Sequence, residues 1–261
     1  MKLTLFYISL ISCAILLSCE KDPPVIVGKN DIPLLSKVLV NGGTYSEYSY
    51  NNDNLISDEK NKFSYIKHNY SSKNLFANSD FYYDFSLDSL QRKVWVNSQN
   101  TKKSLSKVFE YIDNEKLRII YTRPSGNNSE FSDFTFKNNR ISKQTMYWEN
   151  KISGHIDYLY DEAGNLIKKV KYVLSTDNED LITTTDYEYD NMQNPYKSFK
   201  KVLDPGINTN QNNIIKETYV IQFDVAASIQ KVQITENSYT YNAKGYPIKA
   251  NGNIEYKYFY K

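Results

Sequence analysis

The chain has 261 residues and a formal net charge of +2, from 32 Lys and Arg against 30 Asp and Glu. That balance supplies no field for holding nucleic acid, and two cysteines build neither a disulfide framework nor a Cys-rich zinc site. With 40% apolar residues the chain is not a polytopic helical membrane protein, and its length suits one large all-β domain or two small ones.

Met1-Lys2 precedes an apolar run from Leu3 to Leu17, then Ser18 and Cys19. A short positive start, an apolar core and a small residue before the cut describe a secretory signal over residues 1–18, too short for a membrane span. Leu16-Leu17-Ser18-Cys19 resembles the lipobox of bacterial lipoproteins. The resemblance implies that the Cys19 thiol receives a diacylglycerol and becomes the first residue after cleavage. Cys13 leaves with the signal, so neither a disulfide nor a cysteine nucleophile remains. Acyl chains contribute about 0.8 kcal/mol per buried methylene, which makes the membrane the first expected partner. Three of the seven prolines fall between positions 23 and 33, so residues 19–35 read as an extended tether carrying the lipidated cysteine. The charged cluster Glu20-Lys21-Asp22 is similar to surface-export signals of Bacteroidetes-type lipoproteins. It implies an outer-membrane lipoprotein on the cell surface, with a periplasm-facing placement as the alternative.

Residues 36–261 read as a single β-repeat domain. What recurs is an aromatic pair at i and i+2, a polar turn, then an apolar residue. Tyr158-Leu159-Tyr160-Asp161 runs through Gly164-Asn165 to Leu166, and Tyr239-Thr240-Tyr241-Asn242 through Gly245 to Ile248. Looser copies begin at Tyr48, Phe109, Phe134 and Tyr187, and the weakest at Tyr83 and Ile221. From Phe85 to Tyr189 the second aromatics are spaced by 26, 25, 24 and 29 residues, enough each time for two strands and two turns. Aromatics at i and i+2 share one strand face, while Leu159, Glu188 and Thr240 point the other way. Asn and Gly supply the left-handed backbone that tight hairpins need.

Tyr160-Asp161 through Gly164-Asn165-Leu166 resembles the YD repeats of Rhs-type and teneurin-like proteins. With the lipobox and tether, the chain resembles Bacteroidetes-type lipoproteins of unknown function with a porin-like sheet. The resemblance implies a long up-and-down antiparallel sheet and brings no catalytic residues. Seven or eight hairpins imply about 15 to 18 strands, too many for a twisted open sheet. The sheet is therefore expected to curl into a barrel or half-open trough that buries the aromatic face. A barrel spanning lipid is disfavoured, because Glu188, Thr240 and Lys257 lie opposite the aromatics and a lipid-facing charge costs about 2–4 kcal/mol at midplane.

His68 and His155 are the only histidines, and neither has a second His or Cys at ligand spacing, so no metal is expected. Both read as half-exposed aromatics, His155 at a strand start. Asn51-Asn52-Asp53-Asn54 and Asp177 to Asp180 are oxygen-rich but lack calcium-loop spacing and read as solvated turns. No nucleophile-elbow, phosphate-loop or dinucleotide glycine pattern appears, and no cofactor is expected. Tyr82, Tyr83, Trp95, Trp148, Tyr256, Tyr258 and Tyr260 are candidate contacts for sugar or peptide, being large flat rings that lose little entropy on binding. Asp88-Ser89-Leu90 resembles the short O-glycosylation motif of Bacteroidetes-type secreted proteins. The expected function is a membrane-anchored, non-enzymatic binding or scaffold module whose partner is a glycan, a peptide or another envelope protein. The alternatives are a glycan- or peptide-binding accessory of nutrient uptake and a carboxylate-dependent hydrolase.

Overall fold

The computed structural model describes residues 32–61, 64–71, 76–82, 85–87, 93–95, 103–124, 126, 129–174, 181–199, 210–222 and 230–261. The expected signal, Cys19 and most of the tether lie outside the described residues, as does Asp88-Ser89-Leu90. The first meander comprises β1 (Leu35–Val40), β2 (Gly43–Tyr50), β3 (Ile56–Asn61), β4 (Tyr65–Tyr70) and β5 (Phe76–Tyr82). Two short strands, β6 (Phe85–Leu87) and β7 (Lys93–Trp95), pair only with each other among the described residues. The meander resumes with β8 (Lys103–Tyr111), β9 (Lys116–Thr122), β10 (Glu130–Lys137), β11 (Arg140–Trp148), β12 (Lys151–Tyr160), β13 (Leu166–Val173) and β14 (Leu181–Tyr189). After a 3-10 turn at Pro195–Ser198 come β15 (Ile214–Gln222), β16 (Gln230–Glu236), β17 (Ser238–Tyr241), β18 (Pro247–Asn251) and β19 (Tyr256–Tyr260).

Seventeen of these strands form one antiparallel sheet, which closes on itself as β19 pairs with β1. The expectation of a long up-and-down sheet curled into a barrel is met. The ring is unsealed at one place. β16 pairs with β15 and β17 with β18, and among the described residues no ladder joins β16 to β17. Only Asn237 separates them, and its amide N–H reaches back to the Ile215 carbonyl at 2.8 Å. The two segments are one bent strand whose first half serves one neighbour and whose second half serves the other. Counted so, the ring has an even number of strands, as an all-antiparallel barrel requires.

Local chemistry explains the turns. Asn138 and Asn139 join β10 to β11 with φ of 52° and 60°, and Asn41 and Gly42 join β1 to β2 with φ of 48° and 80°. Two consecutive left-handed residues are what a type I′ hairpin needs, and Asn reaches that region at small cost. Three longer turns, at the end that Asn138 and Asn139 share and away from Asn41 and Gly42, are each held by an Asx side chain. Asn51 Oδ1 accepts the N–H groups of Asp53 and Leu55, Asp161 Oδ1 those of Gly164 and Asn165, and Asn242 Oδ1 those of Lys244 and Tyr246. The oxygen-rich Asn51–Asn54 stretch is thus a capped turn.

Six tyrosines at this end of the barrel share one task. Tyr50 donates its hydroxyl to the Leu35 carbonyl at 2.7 Å, Tyr70 to Ile56 at 2.5 Å, and Tyr160 to Ile141 at 2.8 Å. Tyr189 donates to Leu166 at 2.5 Å, Tyr239 to Ile214 at 2.9 Å, and Tyr260 to Pro247 at 2.7 Å. In every case the acceptor opens, or nearly opens, a strand at the same end of the barrel. The recurring Tyr-x-Tyr-Asx unit is therefore a lock for that end: ring inward, hydroxyl on a backbone carbonyl, Asx on the turn.

Alternation separates wall from lumen. Tyr158 is 6% exposed and its neighbour Leu159 54%; Tyr258 is 9% and Phe259 45%. A barrel this wide is not filled by side chains meeting across its axis. The interior carries two cores instead. Leu117, Ile119, Phe134, Ile141, Tyr158 and Leu166 form one. The other joins Leu35, Val38, Ile56, Ala250 and Tyr258 to Phe199, which arrives from the β14–β15 connection. That connection enters the lumen, and Phe199 meets Tyr48 edge-on at 4.7 Å and Tyr196 at 5.5 Å. Glycine is required at Gly154, inside β12, because a Cβ there would overlap the Tyr172 carbonyl oxygen of β13.

Outside, ion pairs cross the ladders. Lys37 pairs with Glu47 at 3.3 Å, Arg118 with Asp133 at 2.7 Å, Lys168 with Asp186 at 3.0 Å and Lys216 with Glu188 at 2.8 Å. Lys143 and Asp157 lie 3.8 Å apart. All five pairs are direct cross-strand partners. Half-exposed pairs of this kind add at most about 1 kcal/mol each, so they do not hold the barrel together. They matter for what the wall can face.

Candidate functional site: the cavity at the seam

A cavity of about 470 Å3 lies inside the barrel beside the unsealed junction. That is within the usual range for small-ligand sites, about 300–1,000 Å3. Three parts of the chain build it. The inward-facing residues Glu217, Gln233 and Thr235 come from β15 and β16, where Glu217 lies opposite Thr235. Tyr239, Tyr256 and Tyr258 come from β17 and β19, and Tyr45 from β2. Asn194, Tyr196, Asn210, Asn212 and Asn213 come from the β14–β15 connection.

The amides of that connection hold one another in place. Asn165, 3% exposed at the β12–β13 turn, accepts the N–H groups of Gln211 at 2.9 Å and Asn212 at 3.1 Å through Oδ1. Its Nδ2 donates to Asn212 Oδ1 at 3.0 Å and to Asp161 Oδ2 at 3.1 Å. Asn210, 1% exposed, accepts the Leu166 N–H at 2.8 Å and donates to the Tyr189 hydroxyl at 2.9 Å. Asn194 donates to the Asn210 carbonyl at 3.0 Å. Asp190 accepts from the Asn213 side chain at 3.0 Å and from the Tyr241 hydroxyl. Apart from Asn213 Oδ1, the buried amides of this set have partners, which makes a rigid floor.

The polar groups facing that floor are uncommitted. Among the described residues, the hydroxyls of Tyr45, Tyr256 and Tyr258 and the side chains of Glu217, Gln233 and Thr235 take part in no hydrogen bond or ion pair. Asn213 Oδ1 is buried and accepts nothing, although its Nδ2 is fixed on Asp190. Burial pushes the phenols of Tyr256 and Tyr258 above their ordinary value, so both stay neutral and able to donate. Among the described residues no Lys, Arg or His lines the cavity, and Glu217 is its single charge.

A second polar cluster lies across β3, β4 and β5. His68 Nδ1 is 2.8 Å from Ser79 Oγ, and Nε2 is 2.9 Å from Glu59 Oε1. A hydroxyl, an imidazole and a carboxylate in series are the parts of a nucleophilic relay. Here Ser79 is only 2% exposed, and the three residues face the lumen as cross-strand neighbours. The cluster ties three strands together and presents no hydroxyl to a substrate. The His68 ring is thus only 8% exposed, where the sequence suggested a half-exposed aromatic. His155 lies within β12, not at its start, and stacks on Tyr172 at 4.4 Å. Among the described residues no three His, Cys, Asp or Glu converge as a metal site.

Of the aromatics marked in the sequence, Tyr256 and Tyr258 line the cavity. Tyr260 is two residues further along the same face, but its hydroxyl is spent on Pro247 and its ring packs edge-on against Tyr246 at 5.7 Å. Tyr82 sits against Tyr65 at 5.5 Å, away from the cavity, and Trp148 ends β11 with 48% exposure. Tyr83 and the Trp95 side chain lie outside the described residues. Tyr45, Tyr196, Gln233 and the asparagine floor carry no sequence signal beyond the abundance of Asn around 193–213.

No protein-family model matches the sequence, and no curated protein matches it. Among solved structures, a porin-like protein from Bacteroides vulgatus ATCC 8482 aligns over 88% of this chain and 99% of its own, at 12% identity and a TM-score of 0.44. A porin-like protein from Bacteroides uniformis ATCC 8492 aligns over 87% and 98%, at 10% identity and a TM-score of 0.38.

Proposed function

We propose that the chain is a non-enzymatic binding protein, held at the outer membrane by lipid on Cys19, whose barrel stands in water and takes its ligand in the seam cavity. The observation that carries this reading is the division of polar groups between wall and lumen. On the wall, Lys37–Glu47, Lys143–Asp157, Lys168–Asp186 and Lys216–Glu188 place charge around the circumference. A wall in lipid would lose about 2–4 kcal/mol for each basic side chain near midplane. In the lumen, polar groups left without partners gather at one cavity. Apolar side chains also lie outside, Leu159, Val232 and Ile234 among them, as they do on most protein surfaces.

We propose an orientation as well. Leu34 and Lys261 exchange backbone hydrogen bonds at the end locked by the Tyr-Asx turns. The tether of residues 19–35 therefore joins the barrel at the locked end. The exposed cavity residues Tyr45, Asn253 and Ile254 belong to the other end, so the mouth points away from the membrane. Labelled palmitate tests the anchor. The label is expected in the wild-type protein and absent from Cys19→Ala, which moves to the aqueous fraction. Label that survives the substitution refutes it.

A further inference from the structure

We infer that the ligand of the seam cavity is a short, uncharged saccharide; this rests on reading the cavity as a ligand site and names the chemistry it selects. The unspent groups set that chemistry. The tyrosines that lock the barrel end donate to backbone carbonyls, as Tyr50, Tyr160 and Tyr189 do. Tyr45, Tyr256 and Tyr258 have no such acceptor among the described residues, and all three line the cavity, beside Tyr239, whose hydroxyl is spent on the Ile214 carbonyl. Gln233 brings two donors and an acceptor, Thr235 a hydroxyl, and Asn213 a buried carbonyl oxygen without a donor. A polar group that the ligand shuts off from water without a partner costs about 1–3 kcal/mol, so the ligand must answer these groups one by one.

Charge and shape then narrow the class. An anionic ligand meets Glu217 and no cation. A hydrocarbon ligand strands the hydroxyls and the Gln233 amide. A cationic amine answers Glu217 alone and offers no acceptors to the tyrosine, threonine and glutamine donors. A sugar ring offers hydroxyls that both donate and accept, together with an apolar C–H face. Tyrosine rings suit that face, being flat and amphipathic. The cavity holds about 470 Å3, room for a short oligosaccharide and not for a folded partner.

The test uses the purified protein on an array of neutral oligosaccharides, with spermidine, acetate and a neutral tripeptide titrated in parallel. The expected result is retention of at least one neutral glycan, with an affinity indifferent to salt because no ion pair forms. Gln233→Ala and Tyr256→Phe each weaken that binding about tenfold, the loss of one hydrogen bond. Tyr256→Phe removes only a hydroxyl and keeps the ring, so an unchanged circular dichroism spectrum separates lost binding from lost fold. Binding of spermidine, acetate or the tripeptide that Gln233→Ala weakens, with no glycan retained, overturns the saccharide assignment and leaves the cavity a ligand site. No retained probe of any kind overturns both. Glycan binding untouched by either substitution places the sugar elsewhere and also overturns the assignment.

Discussion

Raised from neutral to about pH 11, the protein unfolds in one cooperative step, with tyrosine ionisation and loss of sheet occurring together. Among the described residues, twelve tyrosines have phenol groups held above the ordinary value, chiefly by burial: Tyr48, Tyr65, Tyr70, Tyr160, Tyr189, Tyr196, Tyr239, Tyr241, Tyr246, Tyr256, Tyr258 and Tyr260. Tyr65 and Tyr160 are pushed up to about 12, with Asp58 adding to the effect at Tyr65 and Arg140 opposing it at Tyr160. A folded value above the unfolded one means that the folded chain keeps its protons longer. The associated stability is complete below about pH 10 and drains as pH rises toward the folded values. Each tyrosine ionised only in the unfolded chain removes about 1.4 kcal/mol per pH unit. At pH 11 about four to eleven of them acting together match the 5–15 kcal/mol, roughly, that a domain possesses. Tyrosinate absorbance and far-ultraviolet circular dichroism followed on one sample check this. Phenols that ionise one by one near pH 10, roughly, while the sheet signal persists, would show that burial does not hold them.

Asn165→Ala is expected to cost about 3 kcal/mol and to loosen the floor of the cavity. Its side chain is 3% exposed and is the acceptor for two backbone N–H groups, those of Gln211 and Asn212. Alanine leaves both without an acceptor and removes the link from the β12–β13 turn to the β14–β15 connection. The denaturant midpoint should fall, and hydrogen exchange at the Gln211 and Asn212 amides should quicken more than at Leu117 in the other core. Asn165→Asp keeps the acceptor for both N–H groups but loses the donor to Asp161 and Asn212. It also sets a buried carboxylate against that of Asp161, so at neutral pH it should destabilise at least as much as alanine. An alanine variant with unchanged midpoint and exchange would mean that this network does not hold the floor.

Much of the wall is legible in the amino-acid sequence. Tyr158 to Lys168 and Tyr239 to Lys249 each announce a strand, a turn and a returning strand, because alternation and left-handed turn residues are local signals. The charges opposite the tyrosines, Glu188 and Lys257, are legible in the same alternation. Contacts over long separations are not legible. Tyr258 meets Val38 across the closure, and nothing near either residue says so. The inward turn of the β14–β15 connection is a tertiary choice: Pro195, Tyr196 and Phe199 leave the wall because the lumen needs apolar filling. Glu59, His68 and Ser79 converge only once the registers of β3, β4 and β5 are known. Likewise, Tyr256, Tyr258 and Tyr260 look alike in the sequence. Only the hydrogen bond from Tyr260 to Pro247 separates the structural ring from the two at the cavity.

In the proposed arrangement the barrel wall stands in water and lipid enters only through Cys19. The fold and oligomeric state of Cys19→Ala in buffer without detergent, by circular dichroism and light scattering, decide whether it does. The expected outcome is a soluble monomer with full sheet content that neither binds nor inserts into phospholipid vesicles. A protein that aggregates without detergent, and recovers its sheet only on adding micelles or vesicles, would place the wall in lipid instead.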